Sequence, residues 1–268
     1  MWTKSFTKEL AQLAQGLKNI TGTNTIFFIK YNEVPKHKTV TYGRIVVDYR
    51  PQKADPYRTR LTVGGNRIVY DNDVSTLTAD LTTCKVILNS TISTPNARFA
   101  TVDIKNFYLN TPLDAYEYMR LPLNIIPEEI IHAYNLNNLA HNGWVYVEIR
   151  KGMYGLPQAG ILANKLLAAR LQEYGYEQSK IIPGFWKHKW RPVWFSLVVD
   201  DFGVKYIGRQ HMDLLLNALN RYYTITYDKA GSTFCGISLT WNYAKGYVDL
   251  AMPGYIAKTL LKFQHKPP

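Results

Sequence analysis

The sequence predicts an α+β fold made of one large or two small domains. Its 268 residues are 46% hydrophobic and 19% charged, which is typical of a globular chain with a substantial core. From Asp103 onward the apolar patterns read as strand, helix, two strands joined by a hairpin, helix and strand. That is the split β-α-β order of a ferredoxin-like antiparallel sheet with helices on one face.

The part of the chain before Asp103 combines a helix at each end with strands between them. Residues 1–20 have an amphipathic helical pattern, and nothing in the sequence ties this helix to the rest of the fold. Short β-prone runs bounded by Pro and Gly predict strands at Thr25–Ile29, Tyr42–Asp48 and Tyr57–Val63. A helix is predicted from about Ser75, with an apolar stripe formed by Leu77, Leu81, Cys84 and Leu88.

After Asp103, turn residues and periodicity predict the remaining elements. Pro112 and Pro122 are expected to bracket a hairpin, and Pro127 to open a short helix that carries acids in its first turn. A strand at Trp144–Ile149 follows, and then a helix from about Gln158 to Glu173 that ends at Gly175. The last predicted elements are a helix through Met212, Leu215, Leu216 and Leu219, and a strand at Thr224–Tyr227.

The charge of the chain favours a polyanionic partner. The net charge is +12 and the isoelectric point is near 9.5, with Lys and Arg spread along the whole sequence. Nucleic acid is the commonest partner of such a chain, and a solvated basic surface without any partner is the alternative. The 20 Tyr and 6 Trp would supply stacking surfaces for bases, although most aromatic residues belong to cores and strands.

Cysteine content and hydropathy indicate an intracellular protein, cytoplasmic or nuclear and not secreted. Two cysteines, Cys84 and Cys235, are too few for a disulfide framework in a chain of this length. There is no apolar run long enough for a transmembrane helix and no signal-peptide core at the start. No His and Cys stand at zinc-ligand spacing.

Three carboxylates mark the ends of two predicted buried strands. Asp200 and Asp201 are adjacent within Phe195-Ser-Leu-Val-Val-Asp-Asp-Phe-Gly-Val-Lys-Tyr206, and Asp103 follows the apolar run Phe99–Val102. Taken alone, an Asp-Asp pair between apolar runs is also typical of a hairpin turn. A carboxylate at the rim of a buried strand is costly, however, unless it is paired or bound to a metal. Because the predicted order can bring the two strands together, the pattern favours a site for two divalent cations and phosphoryl transfer.

Four segments form an ordered set of motifs that resembles a known family. They are Phe99-Ala-Thr-Val-Asp-Ile-Lys-Asn-Phe-Tyr-Leu-Asn110, Tyr118-Met-Arg-Leu-Pro122, Arg150-Lys-Gly-Met-Tyr-Gly-Leu-Pro-Gln-Ala159 and Val198-Val-Asp-Asp-Phe202. Their order and spacing resemble the reverse transcriptase domain of Ty1/copia-type long-terminal-repeat retrotransposons. Tyr57–Thr62 resembles the fingers segment of that family, and Phe234–Leu239 resembles its primer-grip hairpin. The resemblance covers most of residues 40–263.

The resemblance implies a two-metal active site that adds deoxynucleotides to a primer. Asp103 and Asp200 would bind two Mg²⁺ or Mn²⁺ ions, Asp201 would complete the acidic triad, and the Ile104 carbonyl would assist one ion. One ion would lower the pKa of the primer 3′-hydroxyl, and the other would hold the incoming triphosphate. Lys229 would be the acid that protonates pyrophosphate, although a Lys at a strand end is usually solvated.

Further residues are implied in nucleotide and template binding. Gln158 would contact the nucleotide and the template, and Tyr108 would lie under the sugar and exclude a 2′-hydroxyl, or simply pack beneath the strand. Arg58 and Arg60 are candidates for the triphosphate, although alternating Arg on an exposed strand is ordinary. Three glycines of the second motif and the primer grip would let the template or primer backbone approach: Gly152, Gly155 and Gly236.

The resemblance also implies a right-hand polymerase with a ferredoxin-like palm, strand-rich fingers and a truncated thumb. The implied division is an N-terminal helix (1–20), fingers (21–98), first palm motif (99–112), an insertion (113–150), the rest of the palm (151–232), and primer grip with the start of the thumb (233–268). The partners would be a primed RNA or DNA template, dNTPs, and the integrase and RNase H of a retrotransposon polyprotein in a virus-like particle. No membrane partner is expected.

One departure and two alternatives accompany this interpretation. Val198 stands where the third motif usually has an aromatic residue, which bears on support of the primer end and not on the metals. The main alternative is a truncated or repurposed remnant that binds nucleic acid without polymerising, although three clustered acids argue against it. A different polymerase with the same palm is disfavoured by the copia-like second motif.

Overall fold

The computed structural model describes residues 1–50 and 54–265, with the side chains of residues 256–258 left aside. The implied segments 21–98 and 233–268 therefore include a few residues outside the description. The described helices are α1 (Trp2–Leu13), α2 (Leu81–Ser93), α3 (Glu128–Ala133), α4 (Leu136–Leu139), α5 (Ala159–Glu173), α6 (Arg209–Asn220) and α7 (Tyr255–Lys262). No helix in these ranges has the length and apolar content needed to cross a membrane.

The strands make the fold α+β, as predicted. Those before the Asp103 strand are β1 (Gly16–Leu17), β2 (Ile20–Thr21), β3 (Ile26–Ile29), β4 (Val40–Tyr49) and β5 (Tyr57–Val63). The middle strands are β6 (Ala97–Ile104), β7 (Pro112–Pro122), β8 (Trp144–Lys151), β9 (Tyr176–Gln178) and β10 (Phe185–His188). The last are β11 (Val193–Val198), β12 (Asp201–Ile207), β13 (Ile225–Asp228), β14 (Thr233–Phe234), β15 (Ile237–Asn242) and β16 (Tyr247–Ala251).

The chain forms two compact units, each built from two separate segments. Unit 1 consists of residues 1–76 and 106–166, and unit 2 consists of residues 77–105 and 167–268. The segment 21–98, implied to be one part, is therefore divided between the two units. All three predicted catalytic carboxylates fall in unit 2.

The six-stranded sheet of unit 2 has the strand order β13-β6-β12-β11-β10-β9, and every neighbouring pair is antiparallel. Among the four strands of the ferredoxin-like pattern, the first in the chain, β6, lies between the last, β13, and the third, β12. This is the strand order predicted from the sequence. It makes β6 and β12 neighbours, although nearly a hundred residues separate them in the chain.

The two faces of this sheet contact different helices. Lys205 and Tyr227 lie on opposite faces, as their registers with β6 show. Lys205 Nζ donates to Ser90 Oγ at 2.6 Å and to Thr94 Oγ1 at 2.7 Å at the end of α2. The Arg209 guanidinium of α6 lies 5.5 Å from the centre of the Tyr227 ring. The prediction of helices on one face only is wrong, because the segment before β6 supplies a helix for the second face.

The sheet of unit 1 has the strand order β3-β8-β7-β4-β5 and is mixed, since β4 and β7 are parallel and the other pairs are antiparallel. One face carries a fully buried apolar row that packs against Leu10 of α1, Ile130 of α3 and Leu136 of α4. The row consists of Ile26, Leu61, Met119, Leu121, Val145, Val147 and Ile149. This burial supplies the main stabilisation of the unit.

Helix α1 covers the edge strand β5 with side-chain hydrogen bonds. Ser5 Oγ accepts the Thr59 N–H at 2.9 Å and donates to the Tyr57 carbonyl at 2.9 Å. Glu9 Oε1 accepts the Leu61 N–H at 3.1 Å. Edge strands otherwise leave such N–H groups unpaired. The N-terminal helix, whose attachment the sequence left undecided, is therefore part of unit 1.

We expect Glu9→Gln to raise the free energy of unfolding at about pH 8, and Glu9→Ala to lower it. Burial raises the pKa of Glu9, with the Leu61 N–H and two neighbouring arginines acting in the opposite direction. A folded-state pKa above the unfolded value means that folding is favoured at low pH and that this stabilisation is lost as pH rises through the folded pKa. Gln keeps the acceptor and does not ionise, whereas Ala leaves the Leu61 N–H unpaired at a cost of about 1–3 kcal/mol.

Urea unfolding between about pH 4 and pH 8 measures both Glu9 variants against the wild type. The stability difference between Glu9→Gln and wild type should grow with pH. A difference that stays constant over this range would contradict the prediction.

Two sequence-based boundaries are wrong. Pro112–Pro122 form one strand and not a hairpin, because β7 pairs with β8 along one edge and with β4 along the other. The helix predicted from Ser75 begins at Leu81, since the Asp80 carboxylate accepts the Thr83 N–H and caps the helix there. The intervening residues 76–79 belong to no helix or strand, which apolar periodicity does not detect.

Candidate active site

Strands β6 and β12 bring two carboxylates face to face. Asp201, the first residue of β12, is the register partner of Asp103, the last but one residue of β6. Directly opposed residues of an antiparallel pair have Cβ atoms about 4.5–5.5 Å apart and point to the same face. On its other side, Asp103 is paired with Thr226 of β13. The carboxylate pair therefore stands at the end of a central strand, as the sequence predicted.

The third carboxylate stands in the turn between β11 and β12. Val199 and Asp200 form this two-residue turn, since Val198 pairs directly with Asp201. The Asp200 carbonyl accepts the Ile104 N–H at 3.2 Å, which fastens the turn to the end of β6. The three predicted metal-binding aspartates and Ile104 are thus gathered within one corner of unit 2.

The turn is strained at Val199. Its φ is 60°, a left-handed angle that a β-branched side chain rarely adopts. In a two-residue hairpin turn with positive φ at the first position, that position is normally Gly. Such a residue costs on the order of 1–3 kcal/mol, and strain of this kind concentrates at functional sites. This strain could not be predicted from the sequence, because a Val within an apolar run is typical of an ordinary strand.

The carboxylates repel one another electrostatically. Burial, together with the charges of Asp200 and Asp103, raises the pKa of Asp201 to about 6. Burial also raises the pKa of Asp103, which the Lys105 ammonium opposes. Unlike a structural salt bridge, this arrangement is stabilised when a cation is added.

The donor set fits a cation that arrives with a phosphate ligand. Within the described residues, no three His, Cys, Asp or Glu side chains are grouped closely enough to hold a metal ion by themselves. Mg²⁺ in phosphoryl-transfer sites is usually held by one or two carboxylates, with waters and substrate phosphates as the remaining ligands. The facing carboxylates of Asp103 and Asp201, with Asp200 beside them, match that smaller requirement.

We expect Asp201→Asn to stabilise the fold at about pH 8, by roughly 1 kcal/mol after allowance for the screening of a partly exposed carboxylate. A raised folded-state pKa means that ionisation destabilises the folded state as pH rises through about 6. The gain should therefore vanish below about pH 4, where both states are protonated. Urea unfolding at several pH values measures it, with Asp249→Asn, an exposed Asp of β16, as control. Equal stability of wild type and Asp201→Asn at high pH would contradict the prediction.

The residues predicted to contact nucleotide sugar and base lie in unit 1. Tyr108 begins a short 3₁₀ turn, and its ring packs edge-on against the Tyr154 ring at 5.3 Å between centroids. Gln158 is only 3% exposed, and its Nε2 donates to Glu117 Oε1 at 3.3 Å. Its Oε1 is buried without a hydrogen-bond partner. Since the Gln158 side chain is turned inward here, its contact with a nucleotide stays a prediction.

Arg58 and Arg60 line a small polar cavity of unit 1 with a volume of about 170 Å³. Arg50 and the half-buried Glu9 line it as well, together with Lys8 and Asp55, which pair with each other at 3.3 Å. Burial and the charges of Arg60 and Arg50 lower the pKa of Arg58. The excess of positive charge suits an anion, and sequence reasoning had not included Arg50 in the set.

The predicted template and primer glycines each have a local structural role. An added Cβ on Gly152 would lie 2.7 Å from the Tyr108 carbonyl oxygen. On Gly155, whose φ is 95°, an added Cβ would meet the backbone of Val63. Gly236 has open space around it, and it forms the β14–β15 turn together with Cys235, both at positive φ. These contacts explain the glycines without reference to nucleic acid.

Lys229 is not brought to the carboxylates. It follows β13, whose last residue, Asp228, pairs with Thr101, and the strand runs away from Asp103. Lys229 thus leaves the sheet about three residues from the level of Asp103, roughly 10 Å at the rise of a strand. Lys229 is exposed to solvent, which is the usual position of a Lys at the end of a strand.

Cys235 is a neighbour of the site that sequence reasoning missed. Burial, followed by the charge of Asp201 and contributions from Cys84 and Asp200, raises the pKa of its thiol to about 12. Cys235, Cys84 and Val198 all line an apolar cavity of about 420 Å³. The small side chain of Val198, in place of the usual aromatic, contributes to this space. The hairpin itself was expected at Phe234–Leu239, and only the proximity of Cys235 to the carboxylates was missed.

Comparison with known proteins does not place the chain in a family. No protein-family model matches it. No curated protein matches it significantly either. The functional interpretation therefore depends on the residues and on the geometry of unit 2.

Proposed function

We propose that this chain is an RNA-directed DNA polymerase domain of the Ty1/copia retrotransposon type, which adds dNTPs to a primer 3′-hydroxyl. The observation that carries the proposal is the direct pairing of Asp103 with Asp201, with Asp200 in the adjoining turn. The ordered motifs and the net charge of +12 support it. In this proposal the sheet of unit 2 is the palm, and the strands of unit 1 belong to the fingers.

The chain's own contribution to the chemistry is the placement of negative charge. Asp103 and Asp200 would bind the cations, Asp201 would share their charge, and the Ile104 carbonyl would add one oxygen ligand. Bound Mg²⁺ or Mn²⁺ supplies a lowered pKa of the 3′-hydroxyl and charge neutralisation on the triphosphate. Burial and the charges of Asp200 and Asp103 raise the pKa of Asp201 to about 6, and a bound cation would favour its ionised form. The hydrogen bond from the Ile104 N–H to the Asp200 carbonyl would help to hold Asp200 at the end of β6.

The proposed substrate contacts of unit 1 remain the sequence-based ones. Arg58 and Arg60, now with Arg50, would bind the triphosphate, because a guanidinium fork matches phosphate oxygens. Tyr108 would exclude the 2′-hydroxyl, and Gln158 would contact base and template after turning outward. Lys229 is the weakest member of the set, since its position separates it from the carboxylates.

Primer extension tests the proposal. Wild-type chain is incubated with oligo(rA)·oligo(dT), dTTP and Mg²⁺ or Mn²⁺, and products are resolved by length. Extension that disappears on chelation of the metal is expected. Salt-sensitive binding of the primed template without extension under either metal would refute the proposal and favour a nucleic-acid-binding remnant.

A further inference from the structure

The outer face of the unit 1 sheet is covered with aromatic and arginine side chains. Strand registers place the apolar core row on one face of β3, β8, β7 and β4 and the alternate residues on the other. None of these alternate residues belongs to the buried core row. Those carrying aromatic or charged groups are Phe27, Tyr42, Arg44, Asp48, Tyr118, Arg120, Trp144, Tyr146, Glu148 and Arg150. We call this surface the aromatic face.

Two arginines of this face lie over aromatic rings. The Arg120 guanidinium lies 4.3 Å from the Trp144 ring centre. Arg150 lies 3.8 Å from the centre of Phe27 and 5.3 Å from that of Tyr116, which adjoins the face. A guanidinium above a ring gains a cation–π attraction and can still donate N–H groups at its edge to an anion.

Three tyrosines at the aromatic face are open to solvent. Tyr116 is 40% exposed, Tyr42 is 36% exposed and Tyr31 is 51% exposed. The Tyr31 ring is already occupied, because it stacks on the His141 ring at 4.6 Å and contacts the buried Tyr146 ring at 5.0 Å between centroids. Exposed rings above a layer of buried rings are rigid, and they present flat apolar surface at low entropic cost.

The charge of the aromatic face is positive. Its strands carry Arg44, Arg120 and Arg150 against Asp48 and Glu148. Glu148 accepts from Arg150 Nε at 2.6 Å and from the Tyr118 hydroxyl at 3.1 Å. Arg120 remains without a carboxylate partner among the salt bridges of the described residues. Arg67, stacked 5.2 Å from the Tyr42 ring, adds a further positive charge at one side. Rings interleaved with cations match the bases and phosphates of a nucleic acid strand.

We propose that the aromatic face binds single-stranded nucleic acid, with bases stacked on Tyr42 and Tyr116 and phosphates at Arg120 and Arg150. Four neighbouring strands span about 14 Å at the usual spacing. A four-stranded sheet with exposed rings accommodates about two or three stacked bases. A duplex is a poorer ligand, because its base faces are already stacked on one another. The inference needs only unit 1 and does not depend on the carboxylates of unit 2.

Fluorescence anisotropy with a labelled single-stranded oligonucleotide tests the proposal on the full chain. Stacking on an aromatic ring is worth about 1–3 kcal/mol per base, so Tyr116→Ala and Tyr42→Ala should each weaken binding about tenfold. Tyr116→Phe and Tyr42→Phe keep the ring and should bind like wild type. Tyr255→Ala removes a comparably exposed tyrosine from unit 2 and should leave binding unchanged.

The salt dependence separates stacking from charge. Arg120→Ala should lower the slope of log affinity against log salt concentration by about 0.7, the value for one phosphate contact with a single strand. The Tyr→Ala variants should leave that slope unchanged. A protein that binds no single strand, or loses as much affinity with Phe as with Ala, or binds duplex equally well, would overturn the proposal.

Failure of this inference is distinguishable from failure of the proposed function. Asp200→Asn chain should bind single strands as tightly as wild type whether or not the wild type extends primers. Conversely, Tyr116→Ala chain that extends a saturating primed template normally but binds single strands weakly would support both proposals independently.

Discussion

Asp200→Asn should abolish primer extension while leaving the fold and template binding intact. Removal of one carboxylate from a metal-binding pair withdraws several kcal/mol of charge stabilisation in the transition state, which corresponds to at least about a thousandfold loss of rate. Asp103→Asn should behave in the same way, because Asp103 faces Asp201 across the β6–β12 pair. The rate of dTTP incorporation on oligo(rA)·oligo(dT) measures both variants.

The controls for this experiment come from the same unit. Asp249→Asn removes an exposed carboxylate from β16 and should extend primers at the wild-type rate. Thermal unfolding should show Asp200→Asn to be folded. Because Asn is nearly isosteric with Asp, lost extension then reports on charge. An Asp200→Asn chain with wild-type activity would refute the assignment of this corner as the active site.

Gly155→Ala should destabilise the chain by at least about 3 kcal/mol, or prevent its folding. The glycine has a φ of 95°, and an added Cβ would approach the Val63 carbonyl oxygen and lie 2.7 Å from the Val63 nitrogen. That nitrogen donates to the Tyr154 carbonyl at 2.8 Å, so the clash falls on a hydrogen bond between loop and strand. Backbone atoms cannot rotate away as a flexible side chain can.

Gly143→Ala is the matched control. Its φ is 78°, but an added Cβ would meet nothing within 4 Å. It should cost only the left-handed strain of about 1–2 kcal/mol. Urea unfolding measures the loss of unfolding free energy in both variants. The extra loss in Gly155→Ala, compared with Gly143→Ala, measures the close approach of residue 155 to β5. Equal losses of unfolding free energy in the two variants would contradict the prediction, because they would show that the Val63 backbone does not restrict residue 155.

Local chemistry explains where the sequence predicted structure well. The stripe of α6, with Met212, Leu215 and Leu219 buried, follows from apolar periodicity. Strands β5 and β8 form as predicted, although burial alternates regularly only in β5, and Pro127 opens α3. The order of strands and helices along the chain predicted that the strands of Asp103 and Asp200 can lie side by side. In the structure β6 and β12 are paired.

Long-range pairing explains where the sequence misled. Pro112–Pro122 has prolines at both ends like a hairpin, but parallel pairing with β4 makes it one strand. Parallel partners come from distant parts of the chain, which turn chemistry does not report. The aromatic face has the same origin, since its rings come from four strands that only their register brings together.

The sequence by itself determined the secondary-structure types, the basic character, and the three aspartates at strand ends. Composition and apolar periodicity are properties of short stretches of sequence, so they are informative before the tertiary structure is known. Only the tertiary structure decided that α1 belongs to unit 1, that Asp103 faces Asp201, and that Gln158 is buried. It also decided which neighbours raise the pKa of Asp201 and where the chain separates Lys229 from the carboxylates. Each of these depends on distances between residues far apart in the chain, which packing sets and local propensity does not.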